Sequence, residues 1–280
     1  MRTASLLVCY WCIIQGLFIF SFNSAAAQGN LLITPRRVVF DGSQRTQELN
    51  LANTGRDTAR YLISLIEIRM KEDGTFESIS QPDSGQRFAS GHIRFFPRSV
   101  TLGPGEAQTI KVQVERMNEL QAGEYRSHIY FRAAPEERPL GEEPPKDALA
   151  IAVRLVPVFG ITIPVIIQVG ASNAQVQVAD LSLSNANDTL PGLNMSLQRK
   201  GDMSVYGDIT VRSISEQGKA VQVGYVKGVA VYTPCRLRQL RIPLSQENGM
   251  DYRNGKLQVT YTAQVKGKPV VLSEAELLLK

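Results

Sequence analysis

The sequence predicts an all-β protein built as two β-sandwich domains, and three observations carry that prediction. Beyond residue 27, runs of about 5 to 10 residues rich in Val, Ile, Thr, Tyr and Phe alternate with Gly, Pro, Asn and Asp, the punctuation of short strands in a sandwich. No long helical period competes with that pattern. The chain of 280 residues is long enough for two domains of ordinary size, each burying its own core.

The N-terminal segment is read apart from the fold. Arg2 precedes an apolar run from Leu6 to Phe22 that ends in Ser24-Ala25-Ala26-Ala27, the form of a secretory signal with an A-x-A cleavage site. Cleavage is expected after Ala27, with residues 1–27 as signal peptide. An uncleaved anchor is the alternative, because the run approaches spanning length. A lipidated Cys9 fits less well, since Leu6-Leu7-Val8 lacks the small residue expected before such a cysteine. Cys9 and Cys12 leave with the signal, so Cys235 remains alone and no intramolecular disulfide is expected. It reads as a small packed residue within the strand-like stretch Val229 to Cys235.

In the first domain, expected over residues 28–168, strands are predicted at Arg37 to Phe40, Thr46 to Ala52, Tyr61 to Met70, Gln108 to Glu115 and Gly123 to Ala133. Asn53-Thr54-Gly55, Glu72-Asp73-Gly74 and Gly103-Pro104-Gly105 supply the turn chemistry between them. Glu136 to Asp147 is acidic and proline-rich, which predicts a mobile loop. Ala148 to Val169 follows as a long apolar stretch. Its β-branched residues and its interruption by Pro157, Gly160 and Pro164 predict an extended strand rather than a membrane span, and the prolines place it at a sheet edge. A second domain, expected over 169–280, carries strands at Leu193 to Gln198, Gly207 to Arg212, Lys219 to Val226 and Lys256 to Val265.

The composition excludes several functions. A charged fraction of 20% and a hydrophobic fraction of 43% argue against both a disordered chain and a polytopic membrane protein. The net charge is +5, its excess lying beyond Gln168. The cluster Arg236, Arg238 and Arg241 reads as a solvated strand face rather than a nucleic-acid patch. His92 and His128 have no neighbouring ligands at metal-binding spacing, and there is no G-x-S-x-G elbow, phosphate loop or calcium loop. The pairs Glu136-Glu137 and Glu142-Glu143 lie in a polar loop where nothing would raise a carboxyl pKa. No enzyme chemistry, cofactor or metal is therefore expected.

Pro35-Arg36-Arg37-Val38-Val39-Phe40-Asp41-Gly42 resembles the first strand of the PapD-like periplasmic pilus-assembly chaperones. Further fragments follow in the family's order: Leu51-Ala52-Asn53-Thr54, Tyr61-Leu62, Phe96-Pro97, Leu102-Gly103-Pro104-Gly105 and Gly123-Glu124-Tyr125-Arg126-Ser127, covering most of Asn30 to Ala133. The resemblance implies two immunoglobulin-like β-sandwich domains meeting at a cleft. There an arginine and a lysine would hold the C-terminal carboxylate of a pilus or fimbrial subunit. Arg37 matches the family arginine, with Arg36 beside it. The last strand of the first domain would be laid along the subunit's groove through Leu149, Ile151, Val153 and Leu155. The subunit would then pass to an outer-membrane usher, with no nucleic acid and no stable membrane insertion involved. One position departs from the family: where its lysine is expected, this chain has Val158, Phe159 and Gly160, so either Arg37 acts alone or with Arg36, or the chain is a divergent member with altered partner chemistry. A secreted structural or adhesive β-sandwich is the alternative function.

The export reading is tested by intact-mass analysis of protein from the exported fraction. It should lack the first 27 residues; recovery of the full-length chain from a membrane fraction would overturn it.

Overall fold

In the computed structural model, which describes residues 31–134, 158–184, 191–245, 252–265 and 267–279, strands dominate, and no α-helix occurs among the described residues. The first sandwich comprises β1 (Leu31–Thr34), β2 (Val38–Phe40), β3 (Thr46–Asn53), β4 (Ala59–Ile66), β5 (Ile68–Met70), β6 (Phe76–Ser78), β7 (Ile93–Phe96), β8 (Ser99–Leu102), β9 (Ala107–Val114), β10 (Gly123–Ala133) and β11 (Gly160–Val169). One sheet has the order β1-β3-β9-β7 and the facing sheet β2-β11-β10-β4-β8. The alternation of side chains decides which face is inside. On β9, Ile110, Val112 and Val114 are buried while Lys111 and Gln113 are exposed. Facing strands contribute Leu49, Leu51, Ile63, Ile129, Phe131, Ile163, Val165 and Ile167 to the same core.

The second sandwich comprises β12 (Gln175–Ser184), β13 (Gly192–Lys200), β14 (Val205–Ile214), β15 (Ala220–Val231), β16 (Leu237–Pro243), β17 (Gly255–Val265) and β18 (Lys268–Leu279). Its sheets are β12-β13-β16 and β15-β14-β17-β18. Leu193, Leu197, Ile209, Val211, Ile242, Leu257, Val259 and Tyr261 fill the space between them. Both sandwiches have the immunoglobulin strand order. In the first, the opening segment is divided, β1 joining one sheet and β2 the other.

Three expectations need correction. The run Tyr61 to Met70 is two strands, broken at Glu67, because the chain leaves the sheet there to form the β5–β6 hairpin. The hairpin's turn is closed by Lys71 N donating to the Thr75 carbonyl at 2.9 Å and by Thr75 N donating to Asp73 Oδ1 at 2.9 Å. The strand through Pro164 is not at the sheet edge along its whole length. β2 pairs with it in parallel from Val165 to Ile167, beyond the proline, where ladder donors are again available. Cys235 is not in a strand: β15 ends at Val231, and the half-buried thiol donates to the Leu237 carbonyl at 3.0 Å in the connection to β16.

The core reading predicts the cost of a cavity. Phe131 is 1% exposed on β10, which has a partner on either side. Phe131→Ala should lower the unfolding free energy by about 3–5 kcal/mol in denaturant titration; a loss below about 1 kcal/mol would show that the site collapses around the smaller side chain.

Candidate functional site

β10 turns one face to its own core and the other to the second sandwich. Tyr125, Ile129 and Phe131 point inward, so Glu124, Arg126 and His128 point outward. The second domain, together with the β5–β6 hairpin over His128, buries them. Glu124 Oε2 accepts from Ser204 N at 2.8 Å, and Oε1 accepts from Thr233 Oγ1 at 3.0 Å and from Ser204 Oγ. Arg126 Nη2 donates to the Thr233 carbonyl at 3.0 Å, and its guanidinium lies 4.9 Å from the centroid of Tyr232. Burial pushes the Arg126 pKa down, opposed by the Glu124 carboxylate. His128 is pushed down from 6.5 to about 3, first by burial and then by Arg126. Its neutral ring sits edge-on to Phe76 at 5.6 Å and Tyr232 at 6.3 Å.

Apolar and backbone contacts complete the junction. Met70 and Ile166 from the first sandwich pack with Ala230 and Tyr232 from the second. The tip of the β5–β6 hairpin reaches β16, where Gln239 N donates to the Glu72 carbonyl at 2.7 Å.

Beside this junction the domains enclose a cleft of about 610 Å³. Arg36, Met70, Phe76, His128, Thr162 and Pro164 line it from one side, and Tyr206, Lys227, Ala230, Tyr232 and Arg238 from the other. Its walls are apolar and aromatic, and its formal charges are all positive. Such a surface suits an anionic group carried on an apolar chain.

The structure separates the two arginines of the motif. Arg36 is exposed and lines the cleft. Arg37 stands outside the lining with its guanidinium 4.5 Å from the Tyr206 centroid, and its buried Nε has no hydrogen-bond partner. Leu149, Ile151, Val153 and Leu155 lie outside the described residues. The described chain just after them is exposed at Val158, at Phe159 (58%) and at Ile161. From Gly160 to Pro164, β11 has β10 on one side and no strand on the other among the described residues.

Sequence reasoning missed Glu124, His128, Lys227 and Arg238 as parts of one junction. Arg238 belongs to the arginine cluster expected to be solvated, yet it is half-buried. It donates to the Ala230 carbonyl and lies against Gly74, where a Cβ would come within 2.8 Å of its Nε. No local signal marks these residues; their proximity arises only when the two domains meet. Among the described residues no group of His, Cys, Asp and Glu could hold a metal, and no helix is long and apolar enough to cross a membrane.

No family model matches the chain, and no curated protein matches it. Among solved structures it is similar to the class 5 fimbriae chaperone CfaA, with 13% identity and a TM-score of 0.41, over 90% of this chain and 99% of that one. The CupB2 chaperone of Pseudomonas aeruginosa aligns with 12% identity and a TM-score of 0.42, over 89% and 100%. The E. coli chaperone DraB aligns with 14% identity and a TM-score of 0.40, over 90% and 97%.

The buried His128 makes a pH prediction. Its folded pKa of about 3 lies below the ordinary 6.5, so the unfolded chain takes up the proton first. Its contribution to stability is complete above 6.5 and is lost as pH falls toward about 3. Glu67, raised by burial, acts in the opposite sense, its contribution being lost as pH rises through its folded value. Wild type should therefore lose up to about 1.4 kcal/mol per pH unit relative to His128→Asn in denaturant unfolding across that window. A difference that stays constant with pH would refute the neutral, buried assignment.

Proposed function

We propose that this chain is a periplasmic chaperone for pilus or fimbrial subunits, acting by strand donation from the first of two domains (28–168 and 169–280). The observation that carries the reading is the open edge of β11 from Gly160 to Pro164, lying beside an all-cationic interdomain cleft. An unpaired strand edge offers a row of main-chain donors and acceptors to an incoming strand. The sequence just before it carries Leu149, Ile151, Val153 and Leu155 at a period of two, a spacing that would put them on one face of an extended strand. The subunit strand would pair with this edge and end with its carboxylate in the cleft. Arg36 would meet that carboxylate, and Arg37, stacked on Tyr206, would add charge behind it. Export with cleavage after Ala27 places this activity in the periplasm, and the loaded chaperone would deliver its client to an outer-membrane usher.

Co-expression with a pilus subunit, followed by affinity capture, tests the reading. Each donor side chain seated in a subunit groove should contribute about 1.5–3 kcal/mol, so Ile151→Ser with Val153→Ser should release the client while Ala150→Ser retains it. Thermal melting of the same proteins decides between roles. A double variant that melts like wild type and still captures its client rules out this strand as the donor, and one that fails to fold assigns the run to the chaperone's own core.

A further inference from the structure

Two arginines stand opposite each other at the end of the β13–β16 ladder. That ladder pairs Gln198 with Leu237, and one step beyond it Arg199 N donates to the Arg236 carbonyl at 2.7 Å. Like charges at directly opposed positions of neighbouring strands repel. Both arginines line a cavity of about 290 Å³, and Arg87 of the first sandwich lines it from across the domain boundary. The cavity shares no lining residue with the cleft of Arg36. The outward face of β10 divides the two: Glu124 lines this cavity and His128 lines the cleft.

Arg199 is 4% exposed, and backbone carbonyls hold its guanidinium in place. Nε donates to the Cys235 carbonyl at 2.9 Å, and Nη1 donates to those of Gly201 and Met203 at 2.9 Å each. Nη2 makes no hydrogen bond among the described residues. Burial pushes the Arg199 pKa down; Glu124 opposes this, and Arg236 adds to it. Arg236 is exposed, and its side chain makes no hydrogen bond among the described residues. Arg87 is positioned by Nη1 donating to the Ala122 carbonyl at 2.8 Å, with its guanidinium 5.3 Å from the Tyr125 centroid. The two acids of the lining are occupied elsewhere. Glu124 has both oxygens engaged by Ser204 and Thr233, and Asp202 Oδ1 accepts from Asn173 N at 3.2 Å. From this geometry we infer that the cavity binds inorganic phosphate, its oxygens taken by Arg199 and Arg236 of the second sandwich and Arg87 of the first. A planar guanidinium pairs with two oxygens of a phosphate, and a tetrahedral anion has enough of them to serve several guanidiniums. The bound anion would offset the repulsion between Arg199 and Arg236 and would join the two domains outside the cleft. Such a site is independent of strand donation.

The test titrates the mature protein with inorganic phosphate by calorimetry, at a constant ionic strength set with sodium chloride. Wild type should show one saturable site. Its melting temperature should rise with phosphate but not with chloride, as expected of a ligand that favours the folded state. Arg236→Gln and Arg87→Gln should each weaken phosphate binding about tenfold or more, the loss of one charged hydrogen-bonding partner. Arg236→Gln should melt like wild type in chloride, because that side chain is exposed and makes no hydrogen bond among the described residues. Arg36→Ala should bind phosphate as wild type does. Arg199 is left intact because three carbonyls depend on it. Absence of saturable phosphate binding, or an equal melting shift in chloride, overturns the site. Wild-type affinity in both Arg236→Gln and Arg87→Gln overturns it too, as does loss of binding in Arg36→Ala alone, which would move the anion to the cleft.

Discussion

A buried carboxylate holds the two halves of this molecule together. Glu124 is 4% exposed and belongs to β10 of the first sandwich, yet its three hydrogen-bond donors all come from Ser204 and Thr233 of the second. An ionised carboxylate taken out of water is costly unless its lone pairs are met. The second domain, as docked, meets them through Ser204 and Thr233. Arg126, two residues along the same face, applies the same constraint from the other sign by donating to the Thr233 carbonyl. The junction is thus specified by polar groups that tolerate little displacement, while its apolar part, Met70 and Ile166 against Ala230 and Tyr232, adds contact with less directionality.

The cleft follows from that placement. One strand, β10, supplies the first domain's core through Ile129 and Phe131, the junction through Glu124 and Arg126, and a wall of the cleft through His128. The neighbouring β11 is buried along Val165 to Ile167, and from Gly160 to Pro164 no strand lies on its other side among the described residues. The open edge and the cationic cavity therefore lie on adjacent strands, and a chain running along the edge would arrive at the cations. Because the hairpin β5–β6 joins β16 through Glu72 and Gln239, the far side of the cavity is tied to the first domain as well.

Much of the fold is legible in residue order because strand alternation and turn chemistry are local. Asn53 closes β3 and accepts from Gly55 N in the following bend, Asp73 and the positive-φ Gly74 form the β5–β6 turn, and Thr46–Asn53, Ala107–Val114 and Gly123–Ala133 are strands close to where the pattern puts them. The misreadings share a cause. Tyr61 to Met70 continues the apolar pattern through Glu67, and no local feature shows that the Glu67 side chain is wanted elsewhere, accepting a hydrogen bond from Ser127 at 2.8 Å. The arginine motif was visible at residues 36 and 37, but which of the pair faces the cleft depends on where Tyr206 comes to stand. Gly207, Gly224 and Gly228 all sit inside strands, where a glycine marks either a bulge or a close approach, and the β14–β15 register shifts beside them.

The sequence by itself determined the class of structure: period-two alternation, turn residues and length point to two β-sandwiches. Tertiary structure alone decided which charges act together. Arg36 and Lys227 are nearly two hundred positions apart in the chain, and Glu124 and Thr233 are 109 apart. Local patterns encode the direction in which a side chain points from its own strand. What it meets there depends on the docking of a second domain, an outcome set by the burial and pairing of groups distant in sequence.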